Sequence, residues 1–154
     1  MAYCPHITDA TQFFTDEEII GLLPKNFIFI AKLIGISKAL NLIENYGGTS
    51  IFVPNQRALA IHNDIAIVIG LSSFKKLSVQ FGGSHIEIPL GTPIITAMRH
   101  RMIRQLAKKE SKPKIARKFG LTMRTIRSII NTPEKLKKIH IETNLDLFDS
   151  NNST

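Results

Sequence analysis

The side chains best suited to chemistry in this chain of 154 residues are basic and hydroxyl groups near its C-terminal end. Between Arg99 and Lys138 there are 14 Lys or Arg and two acidic residues, a local charge of +12 in a chain of net charge +8. The first 98 residues hold 6 basic and 7 acidic residues, a local charge of −1. Because the positive excess lies in one segment, it favours a polyanionic partner, most often nucleic acid. A solvated helical face is the alternative that charge alone leaves open.

The stretch "KPKIARKFGLTMRTIRSIIN", residues 112–131, has the spacing of a helix-turn-helix. Ala116 is small enough for two helices to touch, Gly120 tolerates the positive φ of the turn, and Ile126 anchors the second helix. Thr122 is a suitable N-cap for that helix. The exposed positions predict a DNA-reading helix, with Arg suited to guanine and hydroxyls to phosphates or base edges. The residues predicted to bind DNA are Lys112, Lys114, Lys118, Thr122, Met123, Arg124, Thr125, Arg127 and Ser128. A helical hairpin with a merely solvated basic face is the alternative.

A phrase of sequence occurs twice in the N-terminal part of the chain. Residues 34–54 align with residues 69–89 without a gap, and eight of the 21 positions are identical. Each copy has the pattern of a helix that ends at two glycines, followed by a short alternating strand and a proline. Gly47 and Gly82, the first glycine of each pair, are expected to take the left-handed conformation that ends the helix. A phosphate loop is not favoured, because these glycines follow the negative end of a helix dipole.

The two short strands need partners, since a strand of four or five residues is unstable by itself. They can pair with each other inside one chain, in a pseudo-symmetric unit, or with the strands of a second subunit. Helix-turn-helix proteins usually present two recognition helices about 34 Å apart, and this chain has one, so we expect a homodimer held through residues 34–89. The residues expected to carry dimerisation are Gly47, Gly48, Ile51, Val53, Gly82, Gly83, Ile86 and Ile88.

The sequence resembles the Mor transcription activators of bacteriophages and related mobile elements. The resemblance rests on "FGGSHIEIP" followed, after a linking helix, by "SKPKIARKFGLTMRTIRSII", and it covers residues 77–131. It implies a dimer in which a helix-strand unit dimerises and a helix-turn-helix binds promoter DNA in the major groove, in concert with host RNA polymerase. By position, residues 122–128 would be the recognition helix and residues 81–89 the dimerisation strand region. The extra copy at residues 34–54 departs from the family pattern, which carries one such unit.

Enzymatic chemistry is not favoured by the residues present. The five histidines show no metal-ligand spacing with one another or with Cys4, and the G-x-S-x-G, H-E-x-x-H and Walker motifs are absent. We therefore expect a non-enzymatic protein with no metal and no cofactor. The apolar stretch "FIFIA" ends at Lys32, far short of the roughly twenty residues of a membrane span, and the N-terminus lacks a secretory pattern. These features predict a cytoplasmic, nucleoid-associated protein that does not contact a membrane.

Together the patterns predict a mainly α protein with two short β-strands. Residues 1–91 are expected to form a duplicated helix-strand dimerisation scaffold, residues 92–140 a helix-turn-helix DNA-binding domain, and residues 141–154 a flexible acidic tail. The predicted function is sequence-specific binding of double-stranded DNA in transcription control of phage or mobile-element type, as an activator. The alternatives are a repressor or a phage DNA-transaction accessory with the same fold, and a protein-interaction module whose basic segment binds an acidic partner.

Overall fold

The computed structural model describes residues 3–58 and 63–134. Within them the chain is mainly helical with two antiparallel strands, which confirms the predicted fold class. None of the described helices is long and apolar enough to cross a membrane. Single turns of 3-10 helix occur at Ile7–Asp9 and Gln56–Ala58. The helices and strands, in chain order, are α1 Ala10–Phe13, α2 Asp16–Leu22, α3 Lys25–Ile34, α4 Ile36–Tyr46, β1 Ser50–Val53, α5 Asp64–Ile69, α6 Leu71–Phe81, β2 Ser84–Glu87, α7 Thr92–Leu106, α8 Lys112–Phe119 and α9 Met123–Asn131.

The two copies of the repeated phrase adopt the same local structure. Helices α4 and α6 are each 11 residues long, and each follows a glycine of positive φ, 92° at Gly35 and 85° at Gly70. A side chain is strained at such φ values, so the kink between successive helices depends on glycine. The second glycine of each later pair also has a positive φ, 81° at both Gly48 and Gly83. The aligned sequences therefore share both their helices and their turns.

The left-handed conformation expected at the first glycine of each pair is wrong. The φ angle is −51° at Gly47 and −54° at Gly82. Each helix instead leads into a type II β-turn, in which the left-handed position is the second glycine. Thr49 N closes the first of these turns by donating to the Tyr46 carbonyl at 3.0 Å. Gly47 is needed for space instead, because an added Cβ would lie 2.5 Å from the Ile43 carbonyl oxygen.

The two strands pair with each other inside the chain. β1 and β2 form a two-stranded antiparallel sheet in which Ile51 faces Ile86. These isoleucines occupy the same position of the repeated phrase. Of the two arrangements that the sequence left open, pairing within one chain is therefore the observed one, and the homodimer stays a prediction. The sequence pattern of the strands was compatible with pairing inside one chain and with pairing between two subunits.

Two backbone hydrogen bonds beyond the strand ends join equivalent residues of the two copies. Gly48 N donates to the Ile88 carbonyl at 2.9 Å, and Gly83 N donates to the Val53 carbonyl at 2.7 Å. The donors are equivalent residues of the two copies, and so are the acceptors. The glycine pairs thus join each copy to the strand end of the other. All of the residues expected to carry dimerisation lie at this junction, within one chain.

Two hydrophobic clusters form among the described residues, and α7 contributes to both. The first contains the inward faces of the two copies, the N-terminal helices, and Ile94 and Met98 of α7. The second joins Ile103 of α7 to α8 and α9. The first cluster therefore extends past residue 91, the predicted domain boundary, into a continuous helix. The division of the chain into domains stays a prediction, and the acidic tail at 141–154 lies outside the described residues.

Candidate nucleic-acid interface

Helices α8 and α9 lie where the sequence pattern predicts a helix-turn-helix. Gly120 ends α8 in the left-handed conformation, with φ 66° and ψ 33°. Leu121 N donates to the Ala116 carbonyl at 3.0 Å, which closes the turn. Thr122 caps α9, and its Oγ1 accepts from Thr125 N at 3.2 Å. The orientation of α9 is therefore fixed by three features: the small residue Ala116 at the contact of the helices, the left-handed Gly120, and the cap at Thr122.

The outward face of α9 carries a stripe of polar side chains. Ile126 and Ile129 of this helix are buried against α7 and α8. The exposed positions one turn apart on the opposite side bear long basic, hydroxyl and amide side chains. These are the groups that read base edges in a major groove, with Arg suited to guanine and Asn to adenine. The stripe consists of Arg124, Arg127, Ser128 and Asn131.

Asn131 was not among the residues predicted to bind DNA. It lies seven positions after Arg124, two helical turns further along the same face, and it is exposed. The helical spacing could have identified it, because Asn131 follows Arg127 by four residues on the same face of the helix. Its carboxamide is a group of the kind that can pair with an adenine edge.

Met123 was predicted to lie on the exposed side of α9, and that placement is wrong. The side chain is half-buried and packs against the cluster formed by Ile103, α8 and α9. A residue in the first turn of a short helix can still reach the core when the preceding turn brings it close. Thr125, by contrast, is exposed, and its hydroxyl lies 2.9 Å from the Thr122 hydroxyl.

Three arginines of α7 point inward, although they contribute to the local positive charge of the sequence. Arg99 Nη2 donates to the Phe119 carbonyl at 3.4 Å, at the C-terminal end of α8. Arg104 donates to the Ile129 carbonyl at 3.1 Å and to the Thr132 carbonyl at 3.0 Å, at the end of α9. Carbonyls at helix C-termini carry partial negative charge and lack helical partners. These arginines therefore stabilise the positions of α8 and α9.

Arg101 connects three parts of the chain. Its guanidinium donates to the Phe13 carbonyl and to the carboxylates of Glu18, at 3.5 Å, and Glu134, at 2.9 Å. It also lies over the Phe14 ring, 4.2 Å from the centroid. Only a planar group with several N–H donors makes all these contacts at once. Arg101 thus joins the N-terminal helices to the segment that comes after α9.

Within the basic segment that the structure describes, residues 99–134, the exposed basic groups lie mostly on α8 and α9. The predicted lysines Lys112, Lys114 and Lys118 are all exposed. Lys114 Nζ lies 3.8 Å from the Glu110 carboxylate, so part of its charge is offset. Arg117 is also exposed on α8, and the sequence prediction did not include it. The interface therefore has fewer free charges than a count of Lys and Arg indicates.

His100 of α7 and Glu18, a partner of Arg101, both have lowered pKa values. Burial lowers the pKa of His100, and the nearby guanidinium groups of Arg104 and Arg99 lower it further. The backbone N–H of Thr15 is the main cause that lowers the pKa of Glu18; burial opposes it, and the Arg101 guanidinium lowers the pKa further. Both shifts favour the charge state that each group has at neutral pH.

The geometry places the predicted DNA-binding residues, except Met123, at the surface of one helical unit. In residues 3–58 and 63–134, no three His, Cys, Asp or Glu side chains come close enough to hold a metal ion. Comparison with family models then assigns the chain: residues 55–145 match the Mor transcription activator family. The chain belongs to this family. No curated protein and no solved structure matches it.

The family match has an informative boundary. It begins at Asn55, immediately after the first copy of the repeated phrase, and runs through the second copy and α7 to α9. The Mor unit of this chain thus contains one helix-strand copy, as the resemblance implied. The first copy precedes the matched region. The Mor family is a regulatory, non-enzymatic one.

Proposed function

We propose that this Mor family member is a sequence-specific, double-stranded DNA-binding protein that activates transcription, with α9 as its recognition helix. The observation that carries the proposal is the exposed stripe on α9, held by an apolar core and a capped N-terminus. A rigid helix that presents two arginines and an amide along one face suits direct readout of a major groove. Family membership adds transcription activation as the outcome of binding.

The flanking basic residues support the proposal by providing phosphate contacts. Lys112 and Lys118 are exposed on α8, and neither has a carboxylate partner among the described residues. In helix-turn-helix complexes the first helix crosses the DNA backbone while the second enters the groove. The α8 lysines are therefore assigned to phosphates, and the α9 stripe to bases.

The proposal is tested by selecting bound sequences from a random DNA pool and measuring affinity for the selected site. Arg124→Ala and Arg127→Ala should each weaken specific binding by about 1–3 kcal/mol and weaken binding to random DNA less. Equal losses on both DNAs would reassign these arginines to phosphates. Failure of the unmodified protein to bind DNA in a salt-dependent way would favour the alternative, a module that binds an acidic protein.

The sign of regulation needs a separate measurement. The selected site is placed upstream of a weak promoter, and transcripts are measured with host RNA polymerase and with or without the protein. A rise in transcription supports an activator that acts with polymerase, as in our proposal. A fall would indicate a repressor, the second function that the same fold serves. Localisation with the nucleoid in the cytoplasm is a consequence of this function and stays a prediction.

A further inference from the structure

The two halves of the scaffold are related by a local two-fold axis within one chain. The axis passes near the pairing of Ile51 with Ile86, two equivalent positions of the repeat. The helices also pack across the two halves: α3 of the first half packs on α6 of the second, and α5 of the second half packs on α4 of the first. An antiparallel pairing centred on equivalent residues is the pattern expected of an isologous dimer interface. Here both sides of that interface belong to one chain.

The shared sequence extends further back than the aligned phrase. Ile30 and Ala31 of α3 correspond to Ile65 and Ala66 of α5, at the same offset of 35 residues. All four are buried. Each half therefore consists of two helices, a glycine kink, a glycine turn and a strand. The first half lies before the region that matches the Mor family, and the second half lies inside it.

The apolar side chains on the inward face of the paired strands are already buried within the chain. Ile51 and Val53 of β1 are 7% and 0% exposed, and Ile86 and Ile88 of the second copy are 5% and 2% exposed. Ser78, the buried polar residue of α6, donates through its hydroxyl to the Pro54 carbonyl at 2.7 Å. The inward apolar face of the described strands is therefore covered within the chain, and the apolar side chain on their outward face is Phe52, which is 50% exposed and lies 5.1 Å from the His85 ring.

The two halves differ in the segments that come after them. After Pro89 the chain enters α7 and then the proposed DNA-binding unit. After Pro54, the equivalent residue, it forms the short turn Gln56–Ala58 and continues towards α5 of the second half. The two-fold scaffold therefore carries a single recognition helix, where a symmetric dimer would carry two.

We infer that one chain supplies the whole two-fold scaffold and binds DNA as a monomer, at a site of one major-groove contact without inverted symmetry. This inference rests on the proposed function for its DNA target. The pairing of the two strands within one chain in solution does not depend on DNA binding. The two statements are therefore tested by separate measurements.

Pairing within the chain is tested by a disulfide across the strands. Ser50 and Glu87 are exposed partners in the register, and Cys4 is the one cysteine in the sequence. In a Cys4→Ser background, Ser50→Cys with Glu87→Cys should give a monomeric, faster-migrating band on oxidation, since facing strand residues meet the distance limits of a disulfide. The control carries Ser50→Cys alone. Covalent dimers as the main product of the double variant would overturn the inference.

Sedimentation of the unmodified protein at micromolar concentration provides a second measurement that needs no variant. We expect the free protein to sediment with the mass of one chain, and the complex with the mass of one chain plus one DNA duplex. A stable dimer would overturn the inference, including one formed by adding a strand at the outer edge of the sheet.

The DNA target is tested by the symmetry of the selected sites. We expect single asymmetric sites, and a duplex with two inverted copies should bind within about twofold of the affinity for one copy. Recovery of inverted repeats that bind on the order of 100-fold more tightly than one copy would overturn the inference and leave the proposed function standing. Absence of any sequence preference would overturn both.

Discussion

At the scale of single residues, the arginines of this protein divide into two groups by what their guanidinium groups contact. Those of α7 donate to carbonyls and carboxylates within the fold, whereas those of α9 are exposed and have no acidic partner among the described residues. A count of positive charge in the sequence cannot separate the groups, because both raise the net charge equally. We therefore expect the α7 arginines to affect the stability of the fold and the α9 arginines to affect the affinity for DNA.

Arg104→Ala should destabilise the fold without a specific effect on DNA recognition. Its two bonds to carbonyls at the end of α9 are charge-assisted, and each such bond contributes about 1.5–3 kcal/mol at most. We expect a loss of about 2 kcal/mol in the free energy of unfolding, measured by urea denaturation. Arg127→Ala is the matched control and should leave stability within about 0.5 kcal/mol of the original. A large loss of stability in the control would place Arg127 in the core packing.

The lysines of α8 should determine the salt dependence of DNA binding. Each phosphate contact contributes about 0.9 to the slope of log affinity against log salt. Replacing Lys112, Lys114 and Lys118 together by Ala should therefore flatten the slope by about 2 to 3 units. Lys32→Ala on α3, also exposed, serves as a control. An unchanged slope in the triple variant would show that this face of α8 points away from DNA.

His100 should make the fold less stable below neutral pH. Its folded pKa lies below the ordinary value of 6.5, so the unfolded chain binds a proton first as pH falls. The stability is fully present above pH 6.5 and is lost as pH falls towards the folded pKa. In urea titrations from neutral to mildly acidic pH, His100→Gln should show a smaller fall than the unmodified protein. An equal fall in both proteins would show that His100 does not cause the pH dependence.

At the scale of elements, the glycine turns determine how each helix leads into its strand. The sequence located both turns, but it could not tell which glycine of each pair adopts the left-handed conformation. Both glycines of the first pair meet the other copy, because an added Cβ at Gly47 would lie 3.2 Å from the Pro89 carbonyl oxygen and Gly48 N donates to the Ile88 carbonyl at 2.9 Å. The position of Pro89 relative to the first copy is a tertiary feature.

Gly48→Ala and Gly83→Ala should each destabilise the fold by about 1 kcal/mol, because a Cβ at positive φ is strained. Gly21→Ala is the control, since this residue lies within α2 and does not have a positive φ. There Ala should be neutral or stabilising by up to about 1 kcal/mol. Thermal denaturation of the three variants measures the difference. Equal effects at all three positions would contradict the assignment of the turns.

At the scale of the whole molecule, α7 and Arg101 couple the scaffold to the proposed DNA-binding unit. α7 is continuous from Thr92 to Leu106 and contributes to both hydrophobic clusters. The N-terminal segment adds a further link, since Tyr3 N donates to the Lys118 carbonyl at 3.1 Å and its ring meets Phe119 edge-on. We therefore expect the scaffold and the α8–α9 unit to unfold together.

Arg101→Met should weaken this coupling. It removes the contacts of the guanidinium with Phe13, Glu18 and Glu134 and leaves two carboxylates, each about 30% exposed, without this partner. We expect a loss of about 2–4 kcal/mol in the free energy of unfolding. Arg101→Lys should recover only part of it, because an ammonium group lacks the planar fork. If Arg101→Lys had the stability of the unmodified protein, the positive charge alone, without the planar shape of the guanidinium, would account for the effect of Arg101.

Local sequence was sufficient to predict the mainly helical fold, the two strands, the turn at Gly120 and the capped helix after it. Each of these depends on the spacing of apolar residues, glycines and caps, which the chain carries within a few turns of helix. Long-range packing was needed to establish that the strands pair within one chain, that Met123 turns inward and that the α7 arginines stabilise helix ends. These outcomes depend on distances between segments far apart in the chain. A strand pattern is satisfied equally by an internal partner and by a second subunit, and only the packing of α3 on α6 and of α5 on α4 selects the internal one.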